Sequence, residues 1–467
     1  MKKYLKLLFT FLMTFVVAAT VSADTTYKIV VNNADEGHTY EAYQIFKGTL
    51  SQDTNTLSDI EWGTGVSAAF KTAKGDAATY AKSLKNMTAD QLRAAVKEMG
   101  SATNLGSVTK TVSTQTNGKY VIEELPAGYY LVKDKEGSQT GEYDAYTEYL
   151  VKLPDSSTST TTINVKTGKP TIEKEIVEAT GGVTSTVNYS VGDKVPYQLT
   201  GTMPSNYDHY TTYKYVFHDT TSTGLEIDEN SVKVYVGSTQ ITTGFTPAVS
   251  SDKHTLTVTF DDTKTISSIT AASEIIVKYD AEITDAAIVG STGNKNTAYL
   301  EYSNNPNGTG TGRTTEVETK VYLIELIINK VDENGNALEG AEFTLTRNSD
   351  GKSFTVVKAG NVFTVTDLAV GTYTLTETVV PDGYNKIDPI TINISATSDE
   401  NGLATLNGTG LSFTANLTLG TLTADVENIP GVELPLTGGI GTILFTVIGS
   451  ALMAIAAIGL LKNKEEK

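Results

Sequence analysis

The chain has 467 residues, contains no cysteine and carries a formal net charge of −18. Its length suits about three domains of roughly 100–150 residues each. The lack of cysteine excludes disulfides and thiolate metal sites. The acidic excess argues against nucleic acid or an anionic membrane as a partner, because both are polyanions. No cofactor is predicted, since no cofactor-binding motif occurs.

The N-terminus has the pattern of an export signal. Met1-Lys2-Lys3 precedes an apolar run from residue 5 to residue 21, and small residues at Val21 and Ala23 fit a signal-peptidase site. We therefore predict a cleaved signal peptide over 1–23 and secretion of the mature chain, which begins at Asp24. The alternative interpretation is a retained membrane anchor.

Three features follow one another at the C-terminus. The pentapeptide Leu434-Pro435-Leu436-Thr437-Gly438 comes first, an uncharged apolar stretch at 440–461 is long enough for a transmembrane span, and a tail with lysines ends the chain at 462–467. This order resembles the cell-wall sorting signal of Gram-positive surface proteins. The resemblance implies that a sortase cleaves after Thr437, passes its carboxyl through an enzyme thioester to an amine, and anchors the chain to peptidoglycan.

Between the two ends, the chain is mostly strand-like. Segments such as 232–236 and 255–260 alternate apolar with polar residues. The exception is the stretch from 58 to about 99, where Thr88 has the character of a helix cap. The sequence therefore predicts an all-β protein of three tandem immunoglobulin-like β-sandwich domains, with a helical insertion in the first.

Composition also predicts where these domains meet. A Ser/Thr tract ends near residue 162, a Gly-Lys-Pro break follows at 168–170, and a long turn occupies 303–308. The predicted domains are residues 24–166, 167–320 and 321–430, followed by the sorting signal at 431–467.

A repeat connects the first domain with the third. The segment 128–134 (GYYLVKD) resembles 371–377 (GTYTLTE), and each has an acid, Asp134 or Glu377, six residues after its glycine. We therefore expect two distant versions of one β-sandwich. Chance recurrence of a common strand–turn pattern is the alternative.

The third domain places three reactive side chains in apolar surroundings. Lys330 lies in a strongly apolar first strand, Glu377 in a later apolar strand and Asn428 in the last strand. A lone buried lysine is costly. Burial favours the neutral amine and the protonated acid, so the amine can attack an asparagine carboxamide that the acid polarises, with loss of ammonia. Fixed proximity can supply ~7–11 kcal/mol of the barrier.

This domain resembles the Cna B-type domains, which carry such a Lys–Asn isopeptide bond. The resemblance implies that Lys330 is the nucleophile, Asn428 the electrophile and Glu377 the promoting acid. The alternative is a surface lysine and a capping asparagine.

The second domain resembles the isopeptide-forming second domain of fimbrial major subunits. This resemblance rests on the segments at 169–176, 217–220 and 294–299, and it implies a bond from Lys174 to Asn296 promoted by Asp219. Glu274 stays open as the acid, because it also lies in an apolar strand. The neighbouring His218 has no local cluster of ligands, so no metal site is predicted.

The first domain contains the segment 37–48 (GHTYEAYQIFKG), which resembles the first domain of streptococcal-type backbone pilins. By the internal repeat, Asp134 occupies the acid position, and Lys28 with Asn164 would complete a third bond. The Tyr-Pro-Lys-Asn ending usual for this domain in the family is missing here.

Polymerisation in this family needs an acceptor lysine at the junction of domains one and two. Lys166, which directly follows a predicted strand, and Lys169, which precedes Pro170, are the candidates. We favour Lys166 for its place after the strand, although both residues could be ordinary linker lysines.

Taken over the whole chain, the resemblance implies the major (backbone) subunit of a covalent pilus assembled by a class C-type sortase. The expected partners are sortase, identical subunits, accessory pilins, peptidoglycan and a host-surface ligand. The protein would be a sortase substrate and no enzyme, apart from forming its own isopeptide bonds once each. The alternative function is a wall-anchored adhesin or accessory pilin that binds a host ligand.

Overall fold

The computed structural model describes residues 26–51, 56–138, 146–154, 159–165, 168–178, 182–306, 308–399, 402–432 and 440–465. The predicted signal peptide, Lys166 and the motif at 434–438 lie outside these residues. Strands dominate the described chain and form six sheets, which pack as three β-sandwiches in tandem. This architecture confirms the predicted fold class.

The first sandwich contains two sheets of mixed strand order. Counted along the chain, the strands of one sheet lie in the order fifth, sixth, first, ninth. The strands of the other sheet lie in the order third, second, seventh, eighth, and the fourth strand pairs with the second strand. Because successive side chains of a strand point to opposite faces, Ile29 and Val31 of the first strand both lie in the core. The strands are β1 Tyr27–Asn32, β2 Tyr40–Ser51, β3 Thr56–Trp62, β4 Lys110–Val112, β5 Gln115–Thr116, β6 Lys119–Leu125, β7 Gly128–Asp134, β8 Glu148–Leu153 and β9 Thr160–Asn164.

The predicted helical insertion lies between β3 and β4. It contains three helices, and Thr88 caps the third through a reciprocal pair of hydrogen bonds with Gln91, as expected for a capping box. Apolar side chains such as Phe70 and Leu84 turn inward and pack with those of β2, β3 and β7 in one core. The helices are α1 Ala68–Lys74, α2 Ala77–Lys85 and α3 Ala89–Gly100.

The second sandwich has two seven-stranded sheets. β10 and β20 belong to one, and β14 and β21 to the other. Its last strand runs to Tyr322, so the predicted boundary at 320/321 is two residues too early. The strands are β10 Ile172–Val177, β11 Val183–Thr184, β12 Thr186–Asn188, β13 Lys194–Thr202, β14 Tyr215–Thr221, β15 Leu225–Ile227, β16 Lys233–Val236, β17 Thr239–Ile241, β18 Thr246–Val249, β19 Thr255–Phe260, β20 Glu274–Ile283, β21 Asn294–Ser303, β22 Thr311–Arg313 and β23 Val317–Tyr322.

The third sandwich contains two five-stranded sheets. Its first strand, Ile324–Val331, pairs in parallel with its last strand, Thr421–Glu427, and antiparallel with the strand Val362–Leu368. The strands are β24 Ile324–Val331, β25 Glu342–Arg347, β26 Ser353–Phe354, β27 Val357–Ala359, β28 Val362–Leu368, β29 Gly371–Val379, β30 Ile390–Asp399, β31 Gly402–Thr409, β32 Thr414–Asn416 and β33 Thr421–Glu427.

The first and third sandwiches share one topology, as the repeat predicts. In each, the first strand pairs in parallel with the last long strand, β1 with β9 and β24 with β33. The repeated segments form the equivalent strands β7 and β29. Tyr130 and Tyr373, two residues after the repeat glycine, each donate to a backbone carbonyl four residues earlier, at 2.8 and 2.9 Å. The two acids of the repeat, Asp134 and Glu377, are both completely buried.

The last described element is the helix α4, Ile440–Glu465. Within the described residues, no helix combines the length and the hydropathy that crossing a membrane requires. The transmembrane prediction for 440–461 is therefore without support from the structure.

Candidate isopeptide sites and the acceptor junction

In the third sandwich, strand alternation directs Lys330, Glu377 and Asn428 to the same end of the core. Lys330 shares the inward face of β24 with Leu326 and Ile328, and all three predicted residues are fully buried. Lys330 lies opposite Val426 of the parallel strand β33, so Asn428 follows directly beyond it. Glu377 reaches this place from β29 in the facing sheet.

Hydrogen bonds orient these groups. The Asn428 amide Nδ2 donates to both Glu377 oxygens, at 3.0 and 3.3 Å, and to the Asn385 carbonyl at 3.0 Å. The Ile387 amide donates to Glu377 Oε2 at 3.1 Å. The Lys330 ammonium contacts backbone carbonyls, the shorter contact being 2.7 Å to Val426. The carboxyl of Glu377 therefore lies against the carboxamide that it would polarise.

The electrostatics at Lys330 favour a reactive amine. Burial lowers the pKa of Lys330, while the charges of Glu377 and Glu427 act in the opposite direction and leave a net decrease. A lysine with a lowered pKa has a larger neutral fraction, and only the neutral amine is a nucleophile. The arrangement is chemically suited to amide formation between Lys330 and Asn428.

The second sandwich brings Lys174, Asp219 and Asn296 together across its two sheets. Lys174 points inward from β10, between Ile172 and Ile176, and crosses the core to β14 and β21 of the other sheet. Its Nζ is hydrogen-bonded to the Asp219 carboxyl group, and both side chains are inaccessible to solvent.

Tyr279 is the member of this site that sequence reasoning missed. Its hydroxyl accepts from Lys174 Nζ at 3.0 Å and from Asn296 Nδ2 at 2.7 Å, so it connects the amine with the carboxamide. The Tyr197 ring stacks on Tyr279 with centroids 5.3 Å apart and lies 5.0 Å from the lysine nitrogen. The inward alternation of β20 is the sequence signal that was available for Tyr279.

Burial shifts the pKa of both members of this pair. It lowers the pKa of Lys174 and raises the pKa of Asp219, although each group opposes the shift of the other. Both shifts favour the neutral amine beside a protonated acid. Glu274, the alternative acid, is solvent-exposed on β20, because it begins the strand on the outward-facing set of positions. The buried acid of this site is therefore Asp219.

The first sandwich does not bring Lys28, Asp134 and Asn164 together, so the expected third site is wrong. Lys28 lies opposite Thr160 and Asn164 lies opposite Asn32, four positions further along the parallel pair, or about 13 Å. Lys28 and Asn164 alternate with the buried residues of their strands, and the Asn164 side chain is exposed. Asp134 is buried in the other sheet.

His38 occupies the place beside Asp134. Its Nδ1 lies 2.7 Å from Asp134 Oδ1, and its ring stacks on Tyr40 with centroids 5.6 Å apart. The backbone amide and the hydroxyl of Thr147 both donate to Asp134 Oδ2 at 2.8 Å. The first domain thus keeps the buried acid of the repeat but surrounds it with non-covalent partners.

Replacing His38 with alanine is expected to destabilise the first domain by about 1–3 kcal/mol, because it removes the hydrogen-bond partner of the buried Asp134 Oδ1. The chain has a single tryptophan, Trp62 on β3, so urea denaturation followed by its fluorescence reports this domain alone. His218→Ala, in the second domain, is the matched control and should leave the urea midpoint of the Trp62 transition unchanged. An unchanged transition in His38→Ala would show that the pair contributes nothing.

At the junction of the first two domains, Lys169 is half-buried and its Nζ lies 2.7 Å from Asp35 Oδ2. Lys166, the preferred acceptor, lies outside the described residues. The structure therefore places one of the two candidate lysines and gives no geometry for the other.

His218 has structural partners. It lies 3.2 Å from Glu301 and stacks on Tyr299 with centroids 4.6 Å apart. Across the described ranges, no group of three or more His, Cys, Asp or Glu side chains is arranged to hold a metal ion.

Two family models match the chain. The model of a prealbumin-like fold domain, named SpaA, matches residues 324–409, within the third sandwich. The model of the LPXTG cell wall anchor motif matches residues 427–467. The second match supports attachment of the protein to the cell wall of a Gram-positive bacterium.

Similar proteins cover most of the chain. The trypsin-resistant surface T6 protein of Streptococcus pyogenes serotype M6 is 26% identical over 96% of both chains. The solved T6 backbone pilin of the same serotype, a modular three-domain structure, has a TM-score of 0.58 at 18% identity and covers 88% of this chain and 100% of its own. The full-length major pilin SpaD of Corynebacterium diphtheriae has a TM-score of 0.54 at 19% identity. The match covers 89% of this chain and 100% of the SpaD chain. Over most of its length the chain is therefore similar to the T6 surface protein, its fold matches that of solved pilins, and its C-terminus carries an LPXTG cell wall anchor motif.

Proposed function

We propose that this protein is the backbone subunit of a covalent pilus, in which Thr437 of one subunit is joined to Lys166 or Lys169 of the next. The observation that carries the proposal is the full-length similarity to the T6 surface protein in a chain that also matches the LPXTG anchor motif at its end. A sortase would be the enzyme of this step. Accessory pilins and a host-surface ligand are further partners within the same proposal.

The internal chemistry proposed for the subunit is autocatalytic and occurs once per site. The neutral amine of Lys330 or Lys174 attacks the side-chain carbonyl carbon of Asn428 or Asn296. An amide forms, the C–N bond of the carboxamide breaks, and ammonia leaves. Glu377 or Asp219 polarises the carboxamide and relays the proton that the attacking amine loses to the departing nitrogen, so the acid is unchanged at the end, a role that its position beside the carboxamide supports.

These bonds would have a mechanical purpose. The third-domain bond would join strand β24 to the residue after β33, so that most of the sandwich lies between its two ends. A pulling force that enters at one end would then pass through the crosslinked strands and could not extend the chain between them. In the second domain, the bond from β10 to β21 would carry the force in the same way.

Non-covalent contacts support force transmission between the second and third domains. The Arg347 guanidinium binds Asp193 with two bonds, at 2.9 and 3.0 Å, and the Ala369 amide donates to Ser190 Oγ at 3.0 Å. Bidentate arginine–carboxylate pairs fix the relative orientation of the two groups as well as their distance. The two sandwiches are therefore held in a defined relation at this junction.

The polymer is tested by replacing both junction lysines. Lys166→Ala/Lys169→Ala should remove the high-molecular-weight ladder from wall extracts boiled in detergent, because no acceptor amine is left at the junction. The exposed Lys233→Ala is the control and should keep the ladder. A ladder that persists in the double variant contradicts the proposed acceptor. A single band from the unsubstituted chain would instead favour a monomeric, wall-anchored adhesin or accessory pilin.

A further inference from the structure

The loop at 33–39, between β1 and β2, lies against the junction lysine. Its Asp35 carboxylate contacts Lys169 Nζ at 2.7 Å, and the two side chains are 40% and 24% exposed, respectively. Lys169 belongs to the segment between β9 and β10, so this contact joins the first domain to the start of the second. The amine is thus held at a fixed place while part of the Lys169 side chain stays open to solvent.

The backbone that carries Asp35 is held from inside the domain. The Tyr120 hydroxyl donates to the Asp35 carbonyl at 2.9 Å and accepts from the His38 amide at 3.3 Å. The side chain of Asn33 accepts from the Asp35 amide at 3.0 Å and donates to the Tyr40 hydroxyl at 2.9 Å. These bonds fix both flanks of Asp35, and the buried His38–Asp134 pair fixes the end of the loop.

The backbone that carries Lys169 is restricted as well. Pro170 follows and limits Lys169 to extended conformations. Gly168 precedes and lies so close to Asn206 that an added Cβ would meet the asparagine Oδ1 at 2.3 Å. With both backbones held, the carboxylate and the amine meet at a defined position. An ion pair that is partly open to solvent adds only about 1 kcal/mol to stability, so stability alone does not account for so many constraints on the loop.

We propose that Asp35 is the positioning residue for the acceptor amine of Lys169 in the joining step, an inference that rests on the proposed function. In that step, Lys169 Nζ forms an amide with the Thr437 carbonyl carbon, and the thioester C–S bond to the enzyme breaks. The ammonium gives up two protons. One goes to the departing thiolate, and the other passes by way of the Asp35 carboxylate to water. Asp35 orients the Lys169 nitrogen and accepts the first proton that the ammonium loses.

Five variants of the full chain test the role of Asp35. They are Asp35→Asn, Asp35→Glu, Glu36→Gln, Lys166→Ala and Lys169→Ala, each expressed with its sortase and also purified as the mature chain for assay with purified sortase and an LPLTG peptide donor. Glu36 is the exposed neighbour on the same loop and is the matched control. Joining rates are measured against acceptor concentration, and the Trp62 unfolding transition is measured in parallel.

Asp35→Asn should lower the maximal joining rate about tenfold or more, because a misplaced nucleophile loses much of its advantage of proximity. The acceptor concentration for half-maximal rate and the Trp62 transition should stay unchanged. Asp35→Glu should restore part of the rate, and Glu36→Gln should match the unsubstituted chain. Lys169→Ala should abolish joining.

Two results would overturn the inference and would differ from failure of the proposed function. If Asp35→Asn joins at the normal rate while Lys169→Ala does not join, Asp35 has no part in presenting the amine. If Lys169→Ala joins normally and Lys166→Ala does not, the backbone proposal stands with the other lysine and the role of Asp35 falls. Joining that survives loss of both lysines contradicts the proposed acceptor junction itself.

Discussion

Replacing Lys330 with methionine should increase the mass of the folded mature chain by one molecule of ammonia relative to the expected difference for the substitution. The unsubstituted chain is expected to be lighter than its sequence by two ammonia molecules, one from each of the Lys330–Asn428 and Lys174–Asn296 bonds. Methionine keeps the length of the buried side chain without its amine, so the third-domain bond cannot form. Intact-mass measurement of the purified chain reads the result directly.

The same substitution should weaken the third domain strongly. The proposed Lys330–Asn428 bond would close a loop of about 100 residues, for which a crosslink is worth about 4.7 kcal/mol in the chain-entropy model developed for disulfides. Urea denaturation and resistance to trypsin should both show the loss. Lys386→Met, at an exposed lysine of the same domain, is the control and should keep both the deficit of two ammonia molecules and the stability. An unsubstituted chain with its full sequence mass would refute the internal chemistry.

Replacing Asp219 with asparagine should leave the second domain uncrosslinked and make its stability depend on pH. Without the acid, the Asn296 carboxamide is not polarised, and one ammonia molecule should reappear in the mass. Loss of one partner from a buried pair is expected to cost about 3–5 kcal/mol. Lys174 then remains a free, buried amine.

The sign of the pH effect follows from Lys174. Burial lowers the pKa of this lysine in the fold, so between that lowered value and the usual lysine value the unfolded chain binds a proton that the folded chain does not. The free energy of unfolding should therefore rise with pH, by up to ~1.4 kcal/mol per pH unit. The rise begins above the lowered pKa and ends near the usual lysine value of about 10.4.

Urea denaturation at several pH values up to about 9.5 measures this slope and shows where it begins. Asp261→Asn, at an exposed acid of the same domain, is the control and should keep the bond and show no such slope. An Asp219→Asn chain that keeps the full deficit of two ammonia molecules would remove Asp219 from the proposed chemistry.

Strand alternation explains why the sequence predicts two of the sites and fails for the third. Lys330 shares its parity with Leu326 and Ile328, and Lys174 shares its parity with Ile172 and Ile176, so both lysines point into a core. Lys28 precedes Ile29 and therefore has the opposite parity, which places it outside the core. The same criterion, applied to β1 in the sequence, argues against Lys28.

Other features depend on packing that no local pattern gives. Tyr279 joins the second site because β20 faces β14 and β21 across the sandwich, and His38 meets Asp134 because a loop folds over the end of β7. The contact of Asp35 with Lys169 requires the first domain to lie against the junction. Each connects residues that are far apart in the chain, and their partners are selected by the sandwich topology.

The backbone role is tested most directly by mass spectrometry of peptides from native fibres. The account predicts a branched peptide in which the Thr437 carboxyl is joined to the side chain of Lys166 or Lys169 of another subunit, together with peptides joined through Lys330–Asn428 and Lys174–Asn296. Fibre material in which Thr437 is joined only to peptidoglycan, with both junction lysines unmodified, would contradict it.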